Sequence, residues 1–115
     1  MKMLVVDDSP SVVEILSAIL KLSGHIVDGA YDGSEAAKRL QETSYDVVIT
    51  DAQMPGMSGV EICRLLKSRF PDVYIIGISG NPHDLGKLKD AGADICLAKP
   101  FRVREVQEAV DNRVR

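Results

Sequence analysis

The chain has 115 residues, enough for one ordinary domain and too few for a second with its own core. Lys and Arg number 14 against 17 Asp and Glu, a formal charge of −3, so there is no basic excess to grip a nucleic-acid backbone. Hydrophobic residues make up 45% of the chain with three Tyr, two Phe and no Trp, so aliphatic side chains must fill the core.

The chain enters its first apolar run, Met3 to Val6, directly after Met1-Lys2, without signal-peptide architecture. The longest apolar run, Val73 to Ile78, is far short of the ~20 residues that span a bilayer. A soluble, cytoplasmic protein with no membrane insertion is expected. Cys63 and Cys96 sit in apolar stretches without metal-ligand spacing and read as buried free thiols.

Strand-length β-branched runs alternate with helical periods along the whole chain. Strand one is Met3–Val6. A helix follows, with Ser9 as N-cap, Pro10 at the first position, an apolar face of Val12, Ile15, Leu16, Ile19 and Leu20, and a stop at Gly24. Strand two is His25–Ala30, and a helix from about Gly33 to Glu42 stands behind Asp32. Strand three is Tyr45–Thr50, and a helix from about Gly59 to Arg69 begins with the capping-box spacing of Ser58 and Glu61. Strand four is Val73–Ile78; the helix after it starts at Pro82 behind Asn81, stops at Gly92 and is weakened by Gly86, which costs about 1 kcal/mol relative to Ala. Strand five is Asp94–Ala98, and the last helix runs from about Val103 with Val103, Val106 and Val110 on one stripe. Five β-α units with near-continuously apolar third and fourth strands predict an α/β, doubly wound, five-stranded parallel sheet covered on both faces. A closed eight-stranded barrel is excluded by length.

In such a sheet, ligands bind beyond the carboxyl ends of the strands. Those ends carry Asp7-Asp8, Asp51, Ser79-Gly80 and Lys99-Pro100. Each residue alone fits a turn or cap; together they place acids, a hydroxyl and a lysine on one rim if strands one, three, four and five are consecutive neighbours. Two like charges ~4 Å apart cost about 4 kcal/mol at an effective dielectric of 20, so three carboxylates require cations. Lys99 supplies one, and the remaining charge suits a hard divalent ion, Mg²⁺ or Mn²⁺, rather than zinc. A hard cation, a hydroxyl and a lysine beside a carboxylate are the parts of phosphoryl transfer, with Asp51 as the nucleophile.

At these residues the chain resembles the receiver domain of two-component response regulators, from Met3 to about Val114. The resemblance rests on Asp7-Asp8, Asp51 with Met54-Pro55 and Gly59 downstream, Ser79, and Lys99-Pro100-Phe101. It implies one receiver domain over residues 1–115 with a flavodoxin-like sheet in the order 2-1-3-4-5. It further implies that Asp51 accepts a phosphoryl group from a phosphohistidine of a sensor histidine kinase or phosphotransfer protein. Asp8, Asp51 and the backbone carbonyl of Gln53 would hold Mg²⁺ with Asp7 acting through water, while Ser79 and Lys99 contact the phosphoryl oxygens. The Lys99-Pro100 peptide is expected to be cis.

The same resemblance implies that the chain catalyses only its own phosphoryl acceptance and slow dephosphorylation. Its output to a downstream protein target would leave through the face formed by the fourth helix, fifth strand and fifth helix, as a monomer or a weak phosphorylation-dependent dimer. Three residues before the lysine, where the family often has an aromatic, stands Cys96, so output is expected to rely on backbone movement around Ser79 to Pro82. A haloacid-dehalogenase-type phosphatase would need a second Asp where Gln53 stands, and a flavodoxin-like nucleotide binder would be repelled by Asp7-Asp8. Two alternatives remain open: a receiver-fold interaction module that signals without phosphorylation, and the N-terminal receiver of a longer effector protein. The chain is expected to contain no effector domain of its own.

Overall fold

The computed structural model describes residues 1–113; Val114 and Arg115, which the expected domain includes, lie outside the described residues. Five strands, β1 (Lys2–Val6), β2 (Ile26–Ala30), β3 (Val47–Asp51), β4 (Tyr74–Ser79) and β5 (Ile95–Ala98), alternate with five helices. The helices are α1 (Pro10–Leu22), α2 (Gly33–Glu42), α3 (Gly59–Arg69), α4 (Pro82–Ala91) and α5 (Val103–Asn112). All strand pairs are parallel and the order is β2-β1-β3-β4-β5, the expected doubly wound topology.

The pleat divides the core in two. Leu4, Val6, Val48 and Ile75 point to one face, where Leu40 of α2, Ile62, Cys63 and Leu66 of α3, and Leu88 of α4 cover them. Met3, Val5, Val47, Ile49, Ile76 and Ile78 point to the other, under Leu16 and Leu20 of α1 and Val106 and Val110 of α5. A strand covered on both faces reads as a continuous apolar run because each successive side chain finds a helix, and β3 is buried at every position.

Where the structure departs from the sequence reading, the causes are local. The buried stripe of α1 is Val13, Leu16 and Leu20, whereas Ile15 is 55% exposed; the paired apolar residues of this helix admit two stripes, and the sheet takes the one offset toward Val13. Ser9 occupies the N-cap of α1 without a side-chain cap bond, and its N–H donates instead to Asp7 Oδ1 at 2.9 Å. Val103 is half exposed, so α5 seats only Val106, Ala109 and Val110 on the sheet. Cys63 is buried as expected; Cys96 is only partly so, and both are free thiols. None of the described helices is long and apolar enough to cross a membrane.

Candidate functional site

Parallel register sets the rim. Val6 pairs with Thr50, Asp51 with Ile78 and Ser79 with Ala98, so the chain emerges from β1, β3, β4 and β5 at nearly one level. Asp7 and Asp8 follow β1, Asp51 and Ser79 are the last residues of β3 and β4, and Lys99 follows β5. A backbone bond from Lys99 N–H to the Ser79 carbonyl, 2.9 Å, extends the β4–β5 ladder to the lysine itself. The Lys99-Pro100 peptide is cis, as expected.

Behind Asp51 the chain must turn sharply into α3. Ala52 N–H donates to the Ile78 carbonyl and Gly59 N–H to the Ala52 carbonyl, at 3.1 and 2.9 Å. A β-carbon on Gly59 would collide with the Asp51 carbonyl oxygen, so only glycine lets α3 begin this close to the acceptor strand. Ser58 caps the helix through Glu61, the expected capping box.

Asp7 is fully buried, Asp51 is 8% exposed and Asp8 is exposed, with one carboxylate oxygen from each lying within 4.8 Å of the others. The Lys99 ammonium reaches Asp7 Oδ2 at 2.7 Å and Asp51 Oδ1 at 3.2 Å. Burial is the main force raising the Asp51 carboxyl above its usual value; the Asp7 charge adds to it and the Lys99 charge opposes it. For Lys99, burial works downward but is outweighed by the hydrogen bond to Asp7 and the charges of Asp51 and Asp7, and the ammonium is held above its usual value.

Three carboxylates and one ammonium leave a formal charge of −2 at a cluster whose donors are all hard oxygens. This donor set fits a divalent hard cation, with the backbone carbonyl of Gln53 two residues past Asp51 as a further candidate oxygen. Ser79 is 4% exposed, and its Oγ accepts the Asn81 N–H at 3.0 Å. Asn81 caps α4 by accepting the His83 N–H at 2.9 Å.

Asp7, Asp8, Asp51, Ser79 and Lys99, singled out from the sequence, all lie on this rim. One the sequence reading missed is Asp84, buried at the start of α4, whose two carboxylate oxygens accept from Gln53 Nε2 at 3.3 and 3.2 Å. Its only sequence signal is that of an acid in a first helical turn; the pairing with Gln53, on the loop between β3 and α3, has none. Between β5 and α4, the Cys96 thiol donates to the Leu85 carbonyl at 3.6 Å, and burial raises both thiols, Cys63 to about 12.

A family model of the response regulator receiver domain matches residues 3–111. A gliding motility regulatory protein of Myxococcus xanthus is 38% identical over 96% of this chain, and the chain spans only 15% of that relative's length. The chemotaxis response regulator CheY4 of Vibrio cholerae superposes with a TM-score of 0.89 at 31% identity, covering 97% of both chains. The response regulator TrrA of Thermotoga maritima, solved in complex with Mg²⁺-BeF, gives a TM-score of 0.90 at 35% identity, again over 97% of both chains.

Proposed function

The chain belongs to the response regulator receiver domain family of two-component signalling, and from that premise we propose that it is a phosphorylation-dependent switch with Asp51 as phosphoacceptor. The observation that carries this reading is the Lys99 ammonium between Asp7 and Asp51, 2.7 and 3.2 Å away, beside a third carboxylate, with Asp51 still 8% exposed.

A carboxylate oxygen of Asp51 attacks phosphorus of a phosphohistidine presented by a sensor kinase or phosphotransfer protein. The O–P bond forms as the P–N bond breaks; the electron pair leaves with the imidazole nitrogen, which takes up a proton. Lys99 is already within hydrogen-bond reach of Asp51 and stabilises charge on the transferred oxygens, and the Ser79 hydroxyl turns from Asn81 toward the same group. Asp7, Asp8, Asp51 and the Gln53 carbonyl would hold the divalent metal, Mg²⁺ or Mn²⁺ in its place, which when bound supplies positive charge against the phosphoryl oxygens. TrrA, bound to Mg²⁺-BeF, supports that choice of ion.

The chain thus catalyses its own phosphorylation and its own slow dephosphorylation, and turns over no separate substrate. The message leaves through α4, β5 and α5, where Val103 is half exposed, to a downstream protein, from a monomer or a weak dimer. Incubation with acetyl phosphate and Mg²⁺, followed by intact-mass measurement, tests the proposal. A gain of one phosphoryl group that is absent in Asp51→Asn supports it; no gain with acetyl phosphate or any phosphohistidine donor overturns it in favour of an interaction module that works without phosphorylation.

A further inference from the structure

In α3, α4 and α5 the acid at the third helical position is used in two ways. In α3 and α5 the third-position glutamate folds back to accept the N–H of the residue capping the helix: Glu61 takes Ser58 N–H at 3.3 Å and Glu105 takes Arg102 N–H at 2.9 Å. In α4 the third-position acid is Asp84, yet the Asn81 N–H it would take is already donated to Ser79 Oγ at 3.0 Å. Displaced from that role, the buried Asp84 carboxylate meets the loop between β3 and α3 and accepts both bonds from the Gln53 amide. Ser79 and Gln53, one at the phosphoryl end of the site and one on the acceptor loop, thus compete indirectly for the same helix start.

Resting on the reading of Asp51 as phosphoacceptor and Ser79 as a phosphoryl contact, we propose that Asp84 is the positioning residue that couples these two ends, holding Gln53 in the resting protein and exchanging it for the Asn81 N–H when the Ser79 hydroxyl turns away. The exchange follows from the strength of a charged acceptor: Asn81 is exposed and its bond to Ser79 part-buried, and a carboxylate on the same turn accepts a helix-start N–H more strongly than water does. When Ser79 leaves, Asn81 N–H loses its acceptor, and the third-position carboxylate one turn above it is the acceptor that α3 and α5 already use. The Gln53 amide is then released. It borders a cavity of about 290 Å³ that it shares with Met54, Ser58, Val60, Asp84 and Lys87, so there is room for both side chains to move. Gln53 itself is solvent-exposed and loses little by returning to water. Phosphorylation at Asp51 would thereby loosen the loop carrying the Gln53 carbonyl while tightening the first turn of α4.

The test is NMR of the ¹⁵N-labelled chain without ligand, then with Mg²⁺ and beryllofluoride. Without ligand, Asp84→Ala must move the Gln53 side-chain amide resonances to those of a free amide; no movement overturns the proposal. With beryllofluoride, the wild-type Gln53 amide must shift to that same free position while Asn81 N–H stays protected. In Asp84→Ala, Asn81 must exchange at least tenfold faster, and Asp84→Glu must restore its protection. Should Ser79 and Lys99 respond to beryllofluoride while the Gln53 amide does not, the proposal alone falls. Should none of them respond, the phosphoacceptor reading falls and the exchange with it. If Asp84→Ala fails to fold, Gln53→Ala at its exposed position carries the resting-state test: the ¹³C carboxyl resonance of Asp84 must move, and an unmoved resonance overturns the proposal.

Discussion

The Lys99 ammonium lies nearer to Asp7, 2.7 Å, than to Asp51, 3.2 Å, although Asp51 is the residue placed to react. In the resting protein the lysine therefore serves first as the counter-ion of a fully buried carboxylate and only second as a partner of the acceptor. Asp51 is left with less compensation than its burial demands.

From this follows a stability signature. A carboxylate whose folded pKa is raised above 3.8 binds its proton more tightly in the folded state, so its contribution favours folding below that pH and is lost as pH rises through the folded value. In the presence of a chelator at neutral pH, Asp51→Asn should unfold at a higher temperature than wild type, and the gap should close as pH falls toward 4. Mg²⁺ at ten times its dissociation constant should stabilise the wild type by about 1.4 kcal/mol and the variant by less. Lys99→Met, which leaves Asp7 and Asp51 facing each other without their cation, should lose about 2 kcal/mol in urea unfolding. A wild type more stable than Asp51→Asn without metal would contradict this account.

Two glycines should respond in opposite directions. Gly59→Ala forces a methyl into the Asp51 carbonyl and should cost about 3 kcal/mol and lower the yield of phosphorylated protein. Gly86→Ala, inside α4 with open space around the added carbon, should gain about 0.5–1 kcal/mol. Urea denaturation of the two single variants measures both.

Tyr45 donates its hydroxyl to Asp28 Oδ2 at 2.7 Å, and burial, followed by this bond and the Asp28 charge, pushes its phenol up to about 12 from 10.0. A raised folded value means the neutral phenol is the favoured form; its contribution is whole below pH 10 and lost as pH climbs from 10 to about 12. Tyr45→Phe should destabilise the fold by about 1–2 kcal/mol at neutral pH and flatten this alkaline decline. Ultraviolet titration of the phenolate should find Tyr45 ionising at about 12, and an ordinary value would contradict the burial and the bond that together raise it.

The strand ends that carry chemistry were legible in the sequence because charge interrupts apolar runs abruptly there: Asp7, Asp51 and Lys99 each follow a stretch that only a buried strand explains. The opposite ends were not. The sequence places strand starts at His25, Tyr45, Val73 and Asp94, one or two residues before the ladders begin at Ile26, Val47, Tyr74 and Ile95. Asp46 and Asp94 already bond to neighbouring strands, through Lys2 and Ile75 carbonyls at 2.8 Å each, so these residues are extended without being paired as strand. The α1 stripe was misread because Val12-Val13, Ile15-Leu16 and Ile19-Leu20 leave periodicity ambiguous by one residue, and only the sheet decides. Asp84 was illegible in principle, since its partner Gln53 lies 31 residues away and is brought to it by the β3–β4 pairing.

The most direct measurement is to locate the phosphoryl group chemically. After phosphorylation with acetyl phosphate and Mg²⁺, borohydride reduces an aspartyl phosphate to homoserine, and peptide sequencing by mass spectrometry reads its position. The account predicts homoserine at residue 51 and aspartate intact at residues 7 and 8. Homoserine at either of those positions, or none anywhere, would contradict it.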